Sequence, residues 1–220
     1  KSHHKPVPHK REHLRARNPA RRLIYTDWWG PHPTAGAGGE RYIQGFLDDA
    51  SGTVCLFASP RKDCGAANLL KFLAILSEQT DGKCTVGTIQ GDFERLFTDG
   101  DFAATCHARG IFLRHSAPYS HQQNGRMERF WRTMETSVTA MLNYSNAPLH
   151  LWPYAVNTFV QHFNRMSNSA GDLTPLEQLT GNRPDISFFR VWGCPVEAFL
   201  EKSEHAKFTN KCISAINLGP

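Results

Sequence analysis

Two rhythms of apolar and polar positions run through this chain and divide it into elements. Leu23-Ile24-Tyr25-Thr26-Asp27-Trp28-Trp29 is rich in β-branched and aromatic residues and stops at Gly30-Pro31, which predicts a strand closed by a turn. The glycine-rich stretch HPTAGAGGE follows as a loop. Residues 41–48 and 54–59 predict two short strands, joined through Asp49-Ala50-Ser51-Gly52 as a hairpin. From Gly65 to Gln79 the period changes, with Leu69, Leu70, Phe72, Leu73 and Leu76 at helical spacing. Thr85–Gln90 predicts a strand ending at Gly91-Asp92. Residues 99–109 predict a helix capped by Asp99 and ended by Gly110, and Ile111–His115 a further strand.

The segment from Ser116 to Leu142 joins loop chemistry to a long helix. Pro118, Ser120 and Asn124-Gly125 are turn formers, whereas Met127, Trp131, Met134, Val138 and Met141 make one apolar stripe. Glu128 falls off that stripe, where loop is expected to become helix. An acid in a first helical turn either complements the helix dipole or stands as a rigid, solvent-open ligand. After a turn at Asn146-Ala147-Pro148, helices are expected at Trp152–Arg165 and Thr174–Thr180, the second with a Thr174-Pro175 start. Phe188–Phe199 predicts β structure with Val191, Trp192, Val196 and Phe199 in the core.

Three strands, then helix, strand, helix, strand and a long helix describe an α/β sandwich on a mixed sheet, antiparallel first and with helical crossovers after. The expected organisation is an extended basic arm over residues 1–22, a core over 23–165, and a C-terminal extension over 166–220 packed on it.

Composition and charge refine this picture. With 220 residues and 40% hydrophobic side chains, the chain is long enough to bury a real core. No run of eighteen apolar residues is present, which removes support for a membrane-spanning helix. The start of the chain lacks a signal-peptide pattern, which removes support for secretion. Six scattered cysteines without a C-x-x-C pair read as small core residues in a reducing compartment, with Cys64 the one expected at the surface. The net charge of +5 belongs to one end. Residues 1–22 carry eight Lys or Arg against the single acid Glu12, leaving 17 basic and 19 acidic side chains in the remainder. Lys10, Arg11, Arg15 and Arg17 thus sit in an arm that either tracks phosphates or is a solvated tail. Its four histidines have no accompanying cysteines and make a weak metal site.

Asp27 lies late in the first predicted strand, Asp92 just past the fourth, and Glu128 at the head of the helix after the fifth. Strand ends and helix starts of an open α/β sheet share one edge, where sites form. Three carboxylates gathered there without a lysine call for divalent cations with oxygen ligands, of which Mg²⁺ is the usual one. Two such ions serve in-line phosphoryl displacement. Asp48 and Asp49 are the competing acids, and their place in a hairpin assigns them to turn hydrogen bonds. Trp28 and Trp29 are candidates for stacking on bases, with at least one facing the core.

With 35 residues between Asp92 and Glu128, and the words TDWWGP, FLDDASG, SAPYSHQQNGRMERFWRT, FNRMSNSAGDLTPLEQLTGNRPDISFFRVWGC and NLGP in this order, the chain resembles the retroviral-type integrase catalytic cores of the RNase H-like superfamily. Copia-like retrotransposon integrases are the nearest group, and the resemblance covers roughly residues 23–220. It implies a five-stranded mixed sheet flanked by helices, with Asp27, Asp92 and Glu128 as the catalytic, metal-binding triad. It also implies Mg²⁺ or Mn²⁺ as two ions per site, DNA as partner, a homo-multimer, and joining of a 3′-hydroxyl to a target phosphodiester. Nuclear action in a eukaryotic host follows from that reaction. Asn124 and Arg132 match positions that contact DNA; Arg126 and Arg129, flanking Glu128, are phosphate candidates or solvated surface. The family's zinc module would lie upstream of Lys1, so by this resemblance the chain looks like a fragment of a larger polyprotein or a trimmed form of one. One word departs from the family: where S-D-N-G-x-E-F is usual, this chain has IQGDFERLF, with Phe93 and Glu94 after Asp92. That departure supports one alternative, a decayed or domesticated core that binds DNA or protein. The triad, which suits attack by water as well as by a 3′-hydroxyl, leaves open a second, an RNase H-like nuclease that cleaves without joining.

Overall fold

The computed structural model describes residues 21–91, 100–115, 121–167, 172–201 and 209–219. Its centre is a five-stranded sheet of β1 (Arg21–Trp29), β2 (Tyr42–Asp48), β3 (Val54–Ser59), β4 (Thr85–Gly91) and β5 (Phe112–His115), in the order β3-β2-β1-β4-β5. β1, β2 and β3 pair antiparallel, whereas β4 joins β1 and β5 joins β4 in parallel. The hairpin between β2 and β3 is tight because Asp48 accepts from the Ser51 backbone N–H at 3.0 Å and from its hydroxyl at 2.6 Å. The parallel strands are linked through helices, as parallel pairing requires.

Because β1 alternates, its side chains enter two cores. On one face Ile24 and Trp28 join Phe46, Ile89 and the helices α1 (Gly65–Gln79) and α2 (Asp101–Ala108), through Leu69, Phe72, Leu76, Phe102 and Cys106. On the other face Tyr25 packs with Ile43 and Leu47 under α3 (His121–Ser145) and α4 (Trp152–Arg165), through Met127, Phe130, Trp131, Met134, Trp152 and Phe159. α3 lies close on β2 because Gly45 has no side chain: a Cβ there would stand 2.8 Å from the Met127 methyl and 2.9 Å from the Trp131 ring.

The C-terminal part adds α5 (Pro175–Thr180), started by a capping box between Thr174 and Glu177, and a two-stranded ribbon of β6 (Pro195–Phe199) and β7 (Cys212–Ile216). α5 docks through Leu179, and through Thr53, whose hydroxyl donates to the Pro175 carbonyl at 2.9 Å.

Three expectations change. α3 begins at His121, so Asn124-Gly125 lie within it and Glu128 stands two turns in, away from the first turn. The apolar stripe that starts at Met127 extends the helix back over residues whose local chemistry favours a turn. Asp99 lies outside the described residues, and α2 starts from Gly100 with no side-chain cap. Over residues 188–199 only Pro195–Phe199 is strand. Trp192 is buried, donating to the Leu218 carbonyl at 3.1 Å, but Val191 and Phe199 are 58% and 79% exposed. Gly193, with φ +77, turns the chain there against Ser145, and the ribbon beyond it stands away from the core. All six cysteines are free; Cys106 is buried and the others are half-buried.

Candidate active site

Asp27 sits half-buried near the carboxyl end of β1, paired across the ladder with Gly45 of β2. Its carboxylate is gripped on both oxygens. The Trp28 backbone N–H donates to Oδ1 at 2.8 Å, and the indole Nε1–H of Trp131 donates to Oδ2 at 2.9 Å. Trp131 belongs to α3, three residues after Glu128. Residues three and seven apart on a helix share a flank. Glu128, Trp131 and Glu135 therefore line one side of α3, and two of them bond to β1: Trp131 to Asp27, and Glu135 to the Trp29 indole at 2.6 Å. Glu128 is exposed on this same flank.

β4 runs parallel beside β1, in register Tyr25↔Gln90, and ends at Gly91. Asp92 follows directly in sequence and lies outside the described residues, as does the side chain of Asn124. Lys10, Arg11, Arg15 and Arg17 lie outside them too. Among the described residues no group of three or more His, Cys, Asp and Glu side chains gathers in a metal-ligating cluster. Of the three predicted acids, Asp27 is tied to the α3 flank that carries Glu128, and Glu135 on that flank is taken up by the Trp29 indole.

The basic candidates divide. Arg129 and Arg132 are exposed. Arg126 is held by Asp49, donating to its carboxylate and, at 2.7 Å, to its backbone carbonyl. The Tyr25 hydroxyl shares Asp49; burial first, then the Asp49 carboxylate, hold the phenol above its ordinary value of 10.0. Asp49 is thus more than a turn residue, whereas Asp48 serves its hairpin and pairs with buried Arg22 at 2.9 Å. Trp28 faces the α1 core. Trp29 is half-buried between His32, stacked at 5.8 Å, and Trp152, also 5.8 Å away.

Sequence reasoning did not find Trp131, Glu135 or the Tyr25–Asp49–Arg126 cluster. The spacing of Trp131 and Glu135 from Glu128 was the available signal, but Trp131 fits the apolar stripe equally well. The donor set at the site fits a hard cation. Asp27 and Glu128 would offer carboxylate oxygens to such an ion, the first held by donors on both oxygens and the second open to solvent.

This is the RNase H-like fold of retroviral integrase catalytic cores. The catalytic core domain of BIV integrase superposes with a TM-score of 0.51 at 20% identity, over 70% of this chain and 91% of that one. A chain of the simian T-cell lymphotropic virus intasome, in complex with the PP2A regulatory subunit B56 gamma, superposes with a TM-score of 0.64 at 16% identity, over 98% of this chain and 73% of that one.

In sequence, the chain is similar to Pol polyproteins of plant retrotransposons. It is 29% identical over 198 residues to the retrovirus-related Pol polyprotein from transposon TNT 1-94 of Nicotiana tabacum, covering 90% of this chain and 15% of that protein. It is 26% identical over 200 residues to that from transposon RE1 of Arabidopsis thaliana, covering 89% of this chain and 13% of the relative. The chain therefore spans about one seventh or less of the relatives it matches. No protein-family model matches it. Among the described residues, no helix is long and apolar enough to cross a membrane.

Proposed function

We propose that this chain is the catalytic core of a retrotransposon integrase, a polynucleotidyl transferase that joins the 3′-hydroxyl ends of element DNA to target DNA. The observation that carries the reading is the Trp131–Asp27 bond, which ties the β1 carboxylate to the helix flank bearing Glu128. Asp27 and Glu128, with Asp92, are proposed to hold two Mg²⁺ or Mn²⁺ ions; bound there, they would lower the cost of charge on the attacking and departing oxygens. In the joining step the 3′-oxygen of element DNA forms a bond to a target phosphorus. The bond from that phosphorus to the target 3′-oxygen breaks, and a new phosphodiester and a free target 3′-end result. Asp27, fixed on both oxygens, gives the site its rigid wall. Exposed Arg129 follows Glu128 directly and exposed Arg132 lies one turn further along α3, where their charge is available to phosphates. Lys10, Arg11, Arg15 and Arg17 are proposed to add sequence-independent affinity through the arm, and Asn124 a contact near the reactive end. The intasome neighbour supports action as a multimer on DNA ends; in a eukaryotic host that means the nucleus.

A second reading has one specific support. Phe93 and Glu94 replace the small, polar residues usual after the second aspartate, so the fold is also compatible with a decayed core that binds DNA without joining it. A Mg²⁺- or Mn²⁺-dependent strand-transfer assay separates the two. It uses candidate element-end oligonucleotides and the variants Asp92→Asn and Glu128→Gln. Joined products that vanish in both variants support the integrase. DNA binding without joining or nicking in either metal supports the decayed core, and nicked products without joined ones support a nuclease.

A further inference from the structure

We propose that Trp131 is the positioning residue of this site, and that Gly45 exists to admit its indole. Three observations converge. Trp131 is 7% exposed, yet its one polar atom reaches Asp27 Oδ2 at 2.9 Å. Gly45 pairs directly with Asp27 across the ladder, and a Cβ on it would lie 2.9 Å and 3.0 Å from the Cη2 and Cζ2 atoms of that indole. A side chain at residue 45 would displace the ring that holds the carboxylate. One turn further along, the polarity of the bond reverses, because Trp29 of β1 donates to Glu135 of α3 at 2.6 Å.

Strand and helix are thus cross-braced twice, by an indole on the helix to a carboxylate on the strand and by an indole on the strand to a carboxylate on the helix. Two such ties along one flank fix both the sliding and the rotation of α3 against β1. Glu128 rides on the same flank, so the braces that fix the flank against β1 also fix where its backbone is carried. An indole is suited to this task because it donates and never accepts or ionises. It orients a carboxylate without competing for a cation, and its ring fills the space over Gly45. Partners of this kind around a metal ligand typically change affinity 10–100-fold when removed.

The inference rests on the reading of Asp27 and Glu128 as metal ligands. It is tested by isothermal titration of Mn²⁺ into the full 220-residue chain and its variants. Trp131→Phe keeps most of the ring and loses the donor; its Mn²⁺ affinity is expected to fall at least about tenfold while it stays folded. Gly45→Ala keeps the donor and pushes the ring, and is expected to weaken binding in the same direction. In the unaltered protein, the Trp131 indole N–H resonance is expected to shift as Mg²⁺ is added, a readout that needs no variant to fold. Unchanged affinity in Trp131→Phe, or an indole resonance unmoved at saturating Mg²⁺, overturns the positioning role and leaves the ligand assignment standing. An unaltered protein that binds no Mn²⁺ removes the ligand assignment, and the inference with it.

Discussion

The two faces of the five-stranded sheet are built from the same strands yet are put to different use. Toward α1 and α2 the sheet presents Ile24, Trp28, Phe46 and Ile89, and the helices answer with Leu69, Phe72 and Phe102. Phe46 and Phe72 stack at 4.8 Å, and the Gln44–Asn68 amide pair is a buried polar contact on this side. Toward α3 the sheet presents Tyr25, Asp27 and Trp29, and each has a polar partner across the interface or beside it: Asp49, Trp131 and Glu135. Adjacent Trp28 and Trp29 make the contrast within two residues, because the first gives its ring to the core and the second also gives its N–H to a carboxylate. The apolar face fixes that the sheet folds; the polar face fixes where α3 sits on it, and with it the acids.

The largest expected effect is on the apolar face. Phe46 is fully buried, so Phe46→Ala should cost about 3–5 kcal/mol, read as a lower urea midpoint. Its folded fraction should keep the Mn²⁺ affinity of the parent. Trp131→Phe should do the reverse, with a small change in stability and a large one in metal affinity. Were Phe46→Ala to weaken metal binding as much as Trp131→Phe does, the division between the faces would collapse.

A smaller effect concerns the thiols on the apolar face. Burial pushes both Cys55 and Cys106 from 9.0 up to about 12. A thiol protonated more tightly in the folded state stabilises it fully below the unfolded value, and that stability is lost as pH rises through the folded value. Stability should therefore decline between pH 9 and about 12, and Cys106→Ala and Cys55→Ala should each flatten the decline. A decline unchanged in both variants contradicts it.

The smallest effect lies at the far end of α4. The His162 ring meets Phe189 edge-on at 4.2 Å, and burial, then nearby Arg165, hold its pKa below 6.5. A depressed folded value means stability is retained above pH 6.5 and falls as pH drops through the folded value. The Phe189 ring resonances should move over that range, and His162→Gln should abolish the movement.

Much of this architecture is legible in the sequence, for physical reasons that also explain the failures. Strand β1 reads clearly because β-branched and aromatic residues dominate it up to Gly30-Pro31, with Asp27 the one acid among them. The stripe from Met127 to Met141 gives α3 in the same way. Its start is hidden because Asn124-Gly125 favour a turn locally, while the helix continues through them. The stretch around β6 misleads in the opposite sense: Val196 and Phe199 look like core residues but lie on a ribbon that leaves them exposed, and Val191, ahead of the ribbon, is exposed too. At the site, Asp27 and Glu128 stand out because acids are conspicuous at strand ends and on helix flanks. Trp131 is hidden because a tryptophan at stripe spacing gives no sign that its N–H matters. Gly45 is harder still, since its role is visible only once the ring above it is in place.

The most direct test of the central claim, that Asp27 and Glu128 share a metal site, is anomalous diffraction from crystals of this chain soaked in Mn²⁺. The account predicts anomalous density within ligand distance of both the Asp27 and Glu128 carboxylates, lost in Asp27→Asn. Density confined elsewhere, or none under soaking that saturates binding in solution, would contradict it.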